Sequence, residues 1–175
     1  MKFLLHVSTF AVAALSAAGA SASSISCSGF TRTKVIDATV PANGGMFVRY
    51  YVTTMGVFRD NATVGFGANE ALVVAFKAPA AVDPIFQIGV THTGTGATGA
   101  QTTRNYSLSA KPCDWSAPLW SSTSTVMALK LASGPASKYA RVGLTPGQTY
   151  YVNVDNRKCA QARCDVYVSI LNNLP

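Results

Sequence analysis

The sequence predicts one all-β domain: a single antiparallel β-sandwich or jelly-roll-like fold, disulfide-stapled, after a cleaved signal peptide. Three observations predict it. Short β-rich runs recur between turn-forming pairs such as Asn43-Gly44 and Pro146-Gly147, four cysteines follow an export-type N-terminus, and no amphipathic helix of useful length appears after Ala22. The 175 residues are 49% hydrophobic and 12% charged, which fits one domain with a sizeable core and excludes a disordered chain.

Residues 1–22 have the three parts of a secretory signal peptide. Met1 and Lys2 form a short positive region, Phe3 to Ala18 is mostly apolar, and Ala20-Ser21-Ala22 is a small-residue cleavage site. We predict cleavage after this site, which leaves residues 23–175 as the β-sandwich domain. The apolar run is shorter than the roughly 18 residues that a membrane span requires. The expected protein is therefore secreted, extracellular or periplasmic, with no membrane span in the mature chain.

The cysteines predict two disulfides. Cys27, Cys113, Cys159 and Cys164 are an even number in a chain destined for an oxidising compartment, and three pairings are possible. Cys159 and Cys164 are separated by four residues and border strand-like runs, so they form the simplest pair, and Cys27 then pairs with Cys113. A zinc site is the alternative, but one C-x₄-C with a single mature histidine matches zinc spacing poorly. We expect no metal and no cofactor.

Nine strands are predicted from hydrophobic periodicity. Met46–Thr54 alternates between apolar and polar faces, and Glu70–Ala78 is apolar on both faces, as in a covered central strand that ends at Pro79. The others are predicted at Val35–Val40, Ile85–Thr91, Asn105–Ala110, Thr123–Leu131, Lys138–Leu144, Gln148–Asp155 and Cys164–Leu171.

The last two strands are predicted to form a hairpin whose tip is closed by the short disulfide. Alternation along the two strands predicts an inward-facing row of Tyr150, Val152, Val154, Val166, Val168 and Ile170. The outer face then carries Tyr151, Asn153 and Asp155 on one arm and Asp165, Tyr167 and Ser169 on the other. Exposed tyrosine rings among amides and carboxylates are typical of a sugar-binding face. The alternative is that a second sheet or loop covers the rings.

Three further groups are binding candidates. Arg157, Lys158 and Arg163 surround the predicted hairpin tip, where they form either an anion site or a solvated turn. Trp115, close to Cys113, is expected to pack on the disulfide. Trp120 lies in a predicted loop, where its ring is a candidate exposed surface for a ligand to stack on. The alternative is that the ring is buried.

Catalytic signatures are weak. Gly94 to Gly99 reads G-x-G-x-x-G, but the residues after it are Thr-rich and β-like, so we predict a loop and not a dinucleotide site. His92 is the single mature histidine and a weak catalytic candidate, because no G-x-S-x-G elbow accompanies it. Glu70 and the six aspartates are scattered, so no carboxylate pair is nominated.

The charge of +7, or +6 after loss of Lys2, is spread singly along the chain and predicts no nucleic-acid binding. It fits attraction to an anionic surface.

The sequence favours a secreted non-enzymatic binding or adhesion module whose ligand is a glycan or an anionic cell-surface polymer. One alternative is a self-assembling pilin-like or envelope subunit, with envelope proteins as partners. Another is a small secreted hydrolase that uses His92. The oligomeric state is left open.

Overall fold

The chain forms two β-sheets that enclose one core. The computed structural model describes residues 25–38, 48–52, 57–65, 67–80, 85–92, 103–138, 140–159 and 164–173. The strands are β1 (Arg32–Asp37), β2 (Val48–Val52), β3 (Val57–Val64), β4 (Glu70–Lys77), β5 (Ile85–His92), β6 (Arg104–Ser109), β7 (Trp120–Ser124), β8 (Met127–Ser133), β9 (Val142–Leu144), β10 (Thr149–Asp155) and β11 (Val166–Asn173). Within these ranges there is no helix, and the predicted all-β class is confirmed.

The five-stranded sheet has the order β1-β4-β10-β6-β7, and the six-stranded sheet has the order β2-β3-β11-β5-β8-β9. Seven of the nine strand pairs are antiparallel, as predicted, and each sheet adds one parallel pair, β1 with β4 and β8 with β9. After β1 the chain crosses to the other sheet for β2 and β3 before it returns as β4. Because the chain crosses between the sheets twice, β4 returns beside β1 and runs parallel to it.

The core lies between the two sheets. Alternate residues of the central strands point inward and exclude water, as Val74, Leu108 and Val152 do from one sheet and Ile88 and Val168 from the other, all with no exposed surface. Burying one such side chain contributes about 1.5 to 3 kcal/mol of transfer free energy. The period-two pattern of the sequence therefore places the core correctly on these strands.

The predicted C-terminal hairpin is wrong. β10 pairs with β4 and β6, whereas β11 pairs with β3 and β5 in the opposite sheet. The inward row predicted for the two strands is buried, but its two halves meet across the core and not side by side. Both strands have an apolar face, and placing them in opposite layers lets each face cover the other. Tyr151 and Tyr167 consequently lie on opposite outer faces of the sandwich.

Other strand boundaries differ from the prediction where polar or turn residues obscure the apolar pattern from which the strands are predicted. The predicted strand Thr123–Leu131 is two strands, β7 and β8, which lie in different sheets and are connected through Thr125 and Val126. β3 was not predicted, because charged and amide residues interrupt its apolar pattern, yet β2 and β11 pair with it on both sides. β9 keeps only the last three residues of the predicted Lys138–Leu144.

Both predicted disulfides are confirmed. Cys27 is bonded to Cys113 with a Cα–Cα distance of 5.3 Å, and Cys159 to Cys164 with 6.1 Å. The short bridge closes the crossover from β10 to β11 and not a hairpin tip.

The signal peptide lies outside the described residues, so its cleavage stays a prediction. In the described part of the chain no helix has the length and apolar character to cross a membrane.

Candidate functional site

Two chain segments cover the outer face of the five-stranded sheet. Residues 25–31 and 110–117 are joined by the Cys27–Cys113 disulfide, and they pack over the outward residues Ala71 and Val73 of β4. Trp115 belongs to this small cluster, as predicted from its position near Cys113, and its ring centroid lies 5.3 Å from that of Phe30. Tyr151 packs against the same cluster and is half-buried. The covering segments explain why β4 is buried on both of its faces.

Asn153 holds the second covering segment in place. Its side chain has no exposed surface, and its Oδ1 accepts the backbone N–H of Cys113 at 2.8 Å. Its Nδ2 donates to the hydroxyls of Ser107 and Ser109 at 3.0 and 2.9 Å. These hydroxyls donate in turn to the carbonyls of Asp114 and Lys111. The prediction that Asn153 is exposed on an open outer face is therefore wrong. Its amide makes buried and part-buried hydrogen bonds that hold the 110–117 loop on the sheet.

Beside this covered region, a row of polar side chains runs from a buried residue of β10 to an exposed residue of β7. Asp155 of β10 lies opposite Asn105 of β6, which lies opposite Thr123 of the edge strand β7. Asn105 donates from Nδ2 to Asp155 Oδ2 at 3.3 Å, and Thr123 Oγ1 donates to Asn105 Oδ1 at 2.8 Å. The row crosses three strands, so its geometry is set by the sheet and not by a loop.

Arg157 closes one end of the row. Its Nε donates to both carboxylate oxygens of Asp155 at 3.0 Å, and its backbone N–H donates to Oδ1 at 2.9 Å. The guanidinium carbon also lies 5.0 Å from the centroid of the Phe30 ring, within the range of a cation–π contact. Burial raises the pKa of Asp155, but the hydrogen bonds from Arg157 and Asn105 outweigh it and hold this pKa below its usual value. Asp155 is therefore a buried, ionised anchor for a half-exposed guanidinium.

These residues line a groove of about 290 Å³, which we call the outer groove. Its lining consists of Asn105, Tyr106, Ser107, Trp115, Ser121, Ser122, Thr123, Asp155 and Arg157. The indole Nε1 of Trp115 is buried and has no hydrogen-bond partner among the residues that the structure describes. A buried donor of this kind calls for an acceptor such as water or a ligand oxygen. Hydroxyls, an amide, a guanidinium and an indole suit a polar ligand with several hydroxyl groups.

The other predicted site residues lie elsewhere. Tyr167 is half-buried on the opposite outer face, where it pairs with Thr63 and Thr91 on the neighbouring strands. Trp120 begins β7, packs partly against the core and lines a different cavity. Of the predicted candidates, the structure brings Arg157 into the outer groove, together with Asp155 and Trp115.

Three sequence predictions fall on residues that the structure does not describe fully. Arg163 and the Gly94 to Gly99 loop lie outside the described residues. His92 ends β5 opposite Val166 in the register, but its side chain is not among those described. A catalytic role for His92 therefore stays a prediction.

Sequence reasoning missed Asn105, Ser121 and Thr123. The signal for Asn105 was present, since polar residues alternate with Tyr106 and Leu108 along β6 and share one face of the strand. Thr123 and Ser121 were harder to assign, because the sequence does not show that β7 is an edge strand beside β6.

The outer groove has one carboxylate in its lining, and the described residues contain no group of three or more His, Cys, Asp or Glu side chains suited to a metal ion. No protein-family model and no curated protein sequence matches the chain. Among solved structures, a periplasmic lysozyme inhibitor of g-type lysozyme from Aeromonas hydrophila is similar at 12% identity and a TM-score of 0.37. The match covers 80% of this chain and 96% of that one. A likeness this distant gives no argument about function.

Proposed function

We propose that this chain is a non-enzymatic binding module of an extracellular or periplasmic compartment that binds a saccharide unit in the outer groove. The observation that carries the proposal is the hydrogen-bonded row of Asp155, Asn105 and Thr123, which lines the outer groove together with the Trp115 indole. Sugars are bound by flat aromatic rings against their apolar faces and by fixed polar groups that take their hydroxyls. The groove offers polar groups from β6, β7 and β10 and the Trp115 indole from the 110–117 loop, which Asn153 fixes to the same sheet.

The size and charge of the outer groove support a small hydroxylated ligand. A cavity of about 290 Å³ is at the lower end of the range for small-molecule sites and has room for one or two sugar rings. The Asp155 carboxylate is already paired with Arg157, so the groove presents no unpaired charge from this pair. A neutral or weakly charged saccharide fits this balance better than a strongly anionic polymer does.

The covalent structure supports the proposed compartment. Two disulfides are typical of proteins that mature in an oxidising environment such as the periplasm or the cell exterior. Together with the signal peptide predicted for residues 1–22, they support export of the chain.

Binding is tested first with a glycan array on the mature chain, residues 23–175, and then by titration with the strongest hit. Thr123→Val keeps the shape of the side chain but removes the hydroxyl that orients Asn105, and we expect it to weaken binding by about tenfold. Thr145→Val makes the same chemical change at an exposed loop position and should leave binding unchanged. Equal effects of the two variants, or no glycan bound by the wild type, would remove the proposal.

A structural subunit is the second candidate. β7 is the last strand of its sheet in the described residues, and the exposed side chains Leu119 and Val126 flank it. An open edge strand can pair with a strand from another chain. Light scattering discriminates between the two candidates, because a structural subunit should give ladders of oligomers and the binding module a single monomer mass.

A further inference from the structure

A second cavity lies on the side of the sandwich where β7 approaches β8. It has a volume of about 470 Å³, and its lining includes Trp120 from β7, Gln87 from β5 and Lys130 from β8. Lys138 and Arg141, from the connection between β8 and β9, complete the polar part of the lining. None of the seven lining residues carries a negative charge. We call it the cationic cavity.

Backbone contacts bring the three cations together. The backbone N–H of Arg141 donates to the carbonyl of Lys130 at 3.2 Å, which fixes the end of the connecting loop against β8. Ser137 and Ala140 exchange backbone hydrogen bonds at 3.0 and 3.2 Å, and this tight turn carries Lys138. The positions of the three cations are thus set by the fold, although their side chains are exposed.

The cationic cavity also contains an aromatic ring and an amide. Trp120 packs partly against the core, which restrains the indole while part of it lines the cavity. Gln87 lies directly opposite Lys130 in the register of β5 and β8. An indole that covers an apolar ring face, an amide for hydroxyls and cations for an acid group together match an acidic sugar.

We propose that the cationic cavity is a second binding site, specific for a carboxylate-bearing saccharide. It does not depend on the outer groove, which lies on the outer face of the five-stranded sheet and has a carboxylate in its lining. A site of this kind orients the chain on an acidic polysaccharide, and the positive net charge of the whole chain aids the encounter.

The two tryptophans of the chain allow each site to be observed separately. In the Trp115→Phe variant, Trp120 is the one remaining indole, so its fluorescence reports the cationic cavity. We expect hexagalacturonate to change this emission saturably, and maltohexaose, a neutral sugar of equal length, to leave it unchanged. Raising the salt to 1 M shortens the screening length to about 3 Å and should weaken the binding.

Removing the three positive charges tests whether hexagalacturonate binds in the cationic cavity. In the Trp115→Phe background, the triple variant Lys130→Gln, Lys138→Gln and Arg141→Gln should lower the affinity for hexagalacturonate by about tenfold, since each exposed pair contributes modestly. The matched control removes two exposed lysines and one exposed arginine elsewhere, Lys77→Gln, Lys111→Gln and Arg32→Gln. It makes the same change in net charge and should change the affinity by less than twofold. All six positions are exposed, so both variants should fold, and thermal unfolding checks this.

Several results would overturn the proposal. Equal losses in the two triple variants would mean attraction to the overall charge and not to the cavity. Tighter binding of hexaglutamate than of hexagalacturonate would indicate an acidic protein partner instead. Binding of maltohexaose with equal affinity, or no response to hexagalacturonate, would exclude an acidic-sugar site, whatever ligand the outer groove binds.

Discussion

Cys113 donates its backbone N–H to the Oδ1 of the buried Asn153 at 2.8 Å, so one amide holds the residue that closes the long disulfide. Cys113 has a positive φ of 60°, a conformation that a residue other than glycine adopts at a cost. The disulfide and the amide together stabilise this conformation. They fix the 110–117 loop, which carries the Trp115 indole into the outer groove.

Asn153→Ala should lower the free energy of unfolding by about 3 kcal/mol. The substitution breaks two buried hydrogen bonds and a part-buried one, and it leaves the N–H of Cys113 without its partner beneath the loop. Urea unfolding of the oxidised protein measures the change. Gln148→Ala, at an exposed position near the start of the same strand, should change stability by less than about 0.5 kcal/mol. Similar values for the two variants would contradict the role assigned to Asn153.

The two disulfides should differ in their contributions to stability. In the loop-entropy model the Cys27–Cys113 bridge, with a separation of 86, contributes about 4 to 5 kcal/mol, and the Cys159–Cys164 bridge, with a separation of 5, about 2 kcal/mol. Replacing each pair with alanine and comparing urea unfolding measures both. A larger loss from the Cys159–Cys164 pair would show that the short bridge acts on the native crossover and not on the unfolded chain.

The pairing of the cysteines could be predicted because spacing limits it, and the inward rows could be predicted because strand alternation has a fixed period of two. The layer in which a strand lies is not encoded in this period. β10 and β11 show the difference: each has the correct inward face, but whether two apolar faces meet side by side or across a core depends on the whole topology. The outer groove combines β6, β7 and β10, which are distant in sequence, so it could not be derived from local patterns.

Stability should depend on pH through Asp155. Its pKa in the folded chain lies below its ordinary value, so its ionised form stabilises the fold at pH above about 4, and this stabilisation is lost as the pH falls through the folded pKa. Asp155→Asn removes the dependence. We expect wild type and variant to differ most in unfolding free energy at pH 7, and this difference to shrink as the pH falls through the folded pKa of Asp155. A difference that stays constant from pH 7 to pH 2 would contradict ionisation of Asp155 in the fold.

Gly143→Ala should destabilise the protein and weaken ligand binding in the cationic cavity. A Cβ at position 143 would lie 2.4 Å from the carbonyl oxygen of Gly134 and 2.5 Å from the backbone nitrogen of Ala136, and backbone cannot give way as a side chain can. The loop that carries Lys138 must then shift. We expect a loss of about 2 to 3 kcal/mol in unfolding free energy and a lower affinity for hexagalacturonate. Gly147→Ala is the comparison: it meets nothing within 4 Å, so only its positive φ costs energy, about 1 kcal/mol, and the cavity should be unaffected.

The mature chain should be monomeric. β7 has five residues, and short edge strands resist pairing with other chains. Leu119 and Val126 are 52% and 46% exposed, but they lie beyond opposite ends of β7, so they are not adjacent in the strand. Size-exclusion chromatography with light scattering across a concentration series should give one mass near that of residues 23–175. Ladders of oligomers that collapse to monomer in the Leu119→Ser, Val126→Ser double variant would place the assembly contact at the β7 edge. That result would favour the structural subunit over the binding module.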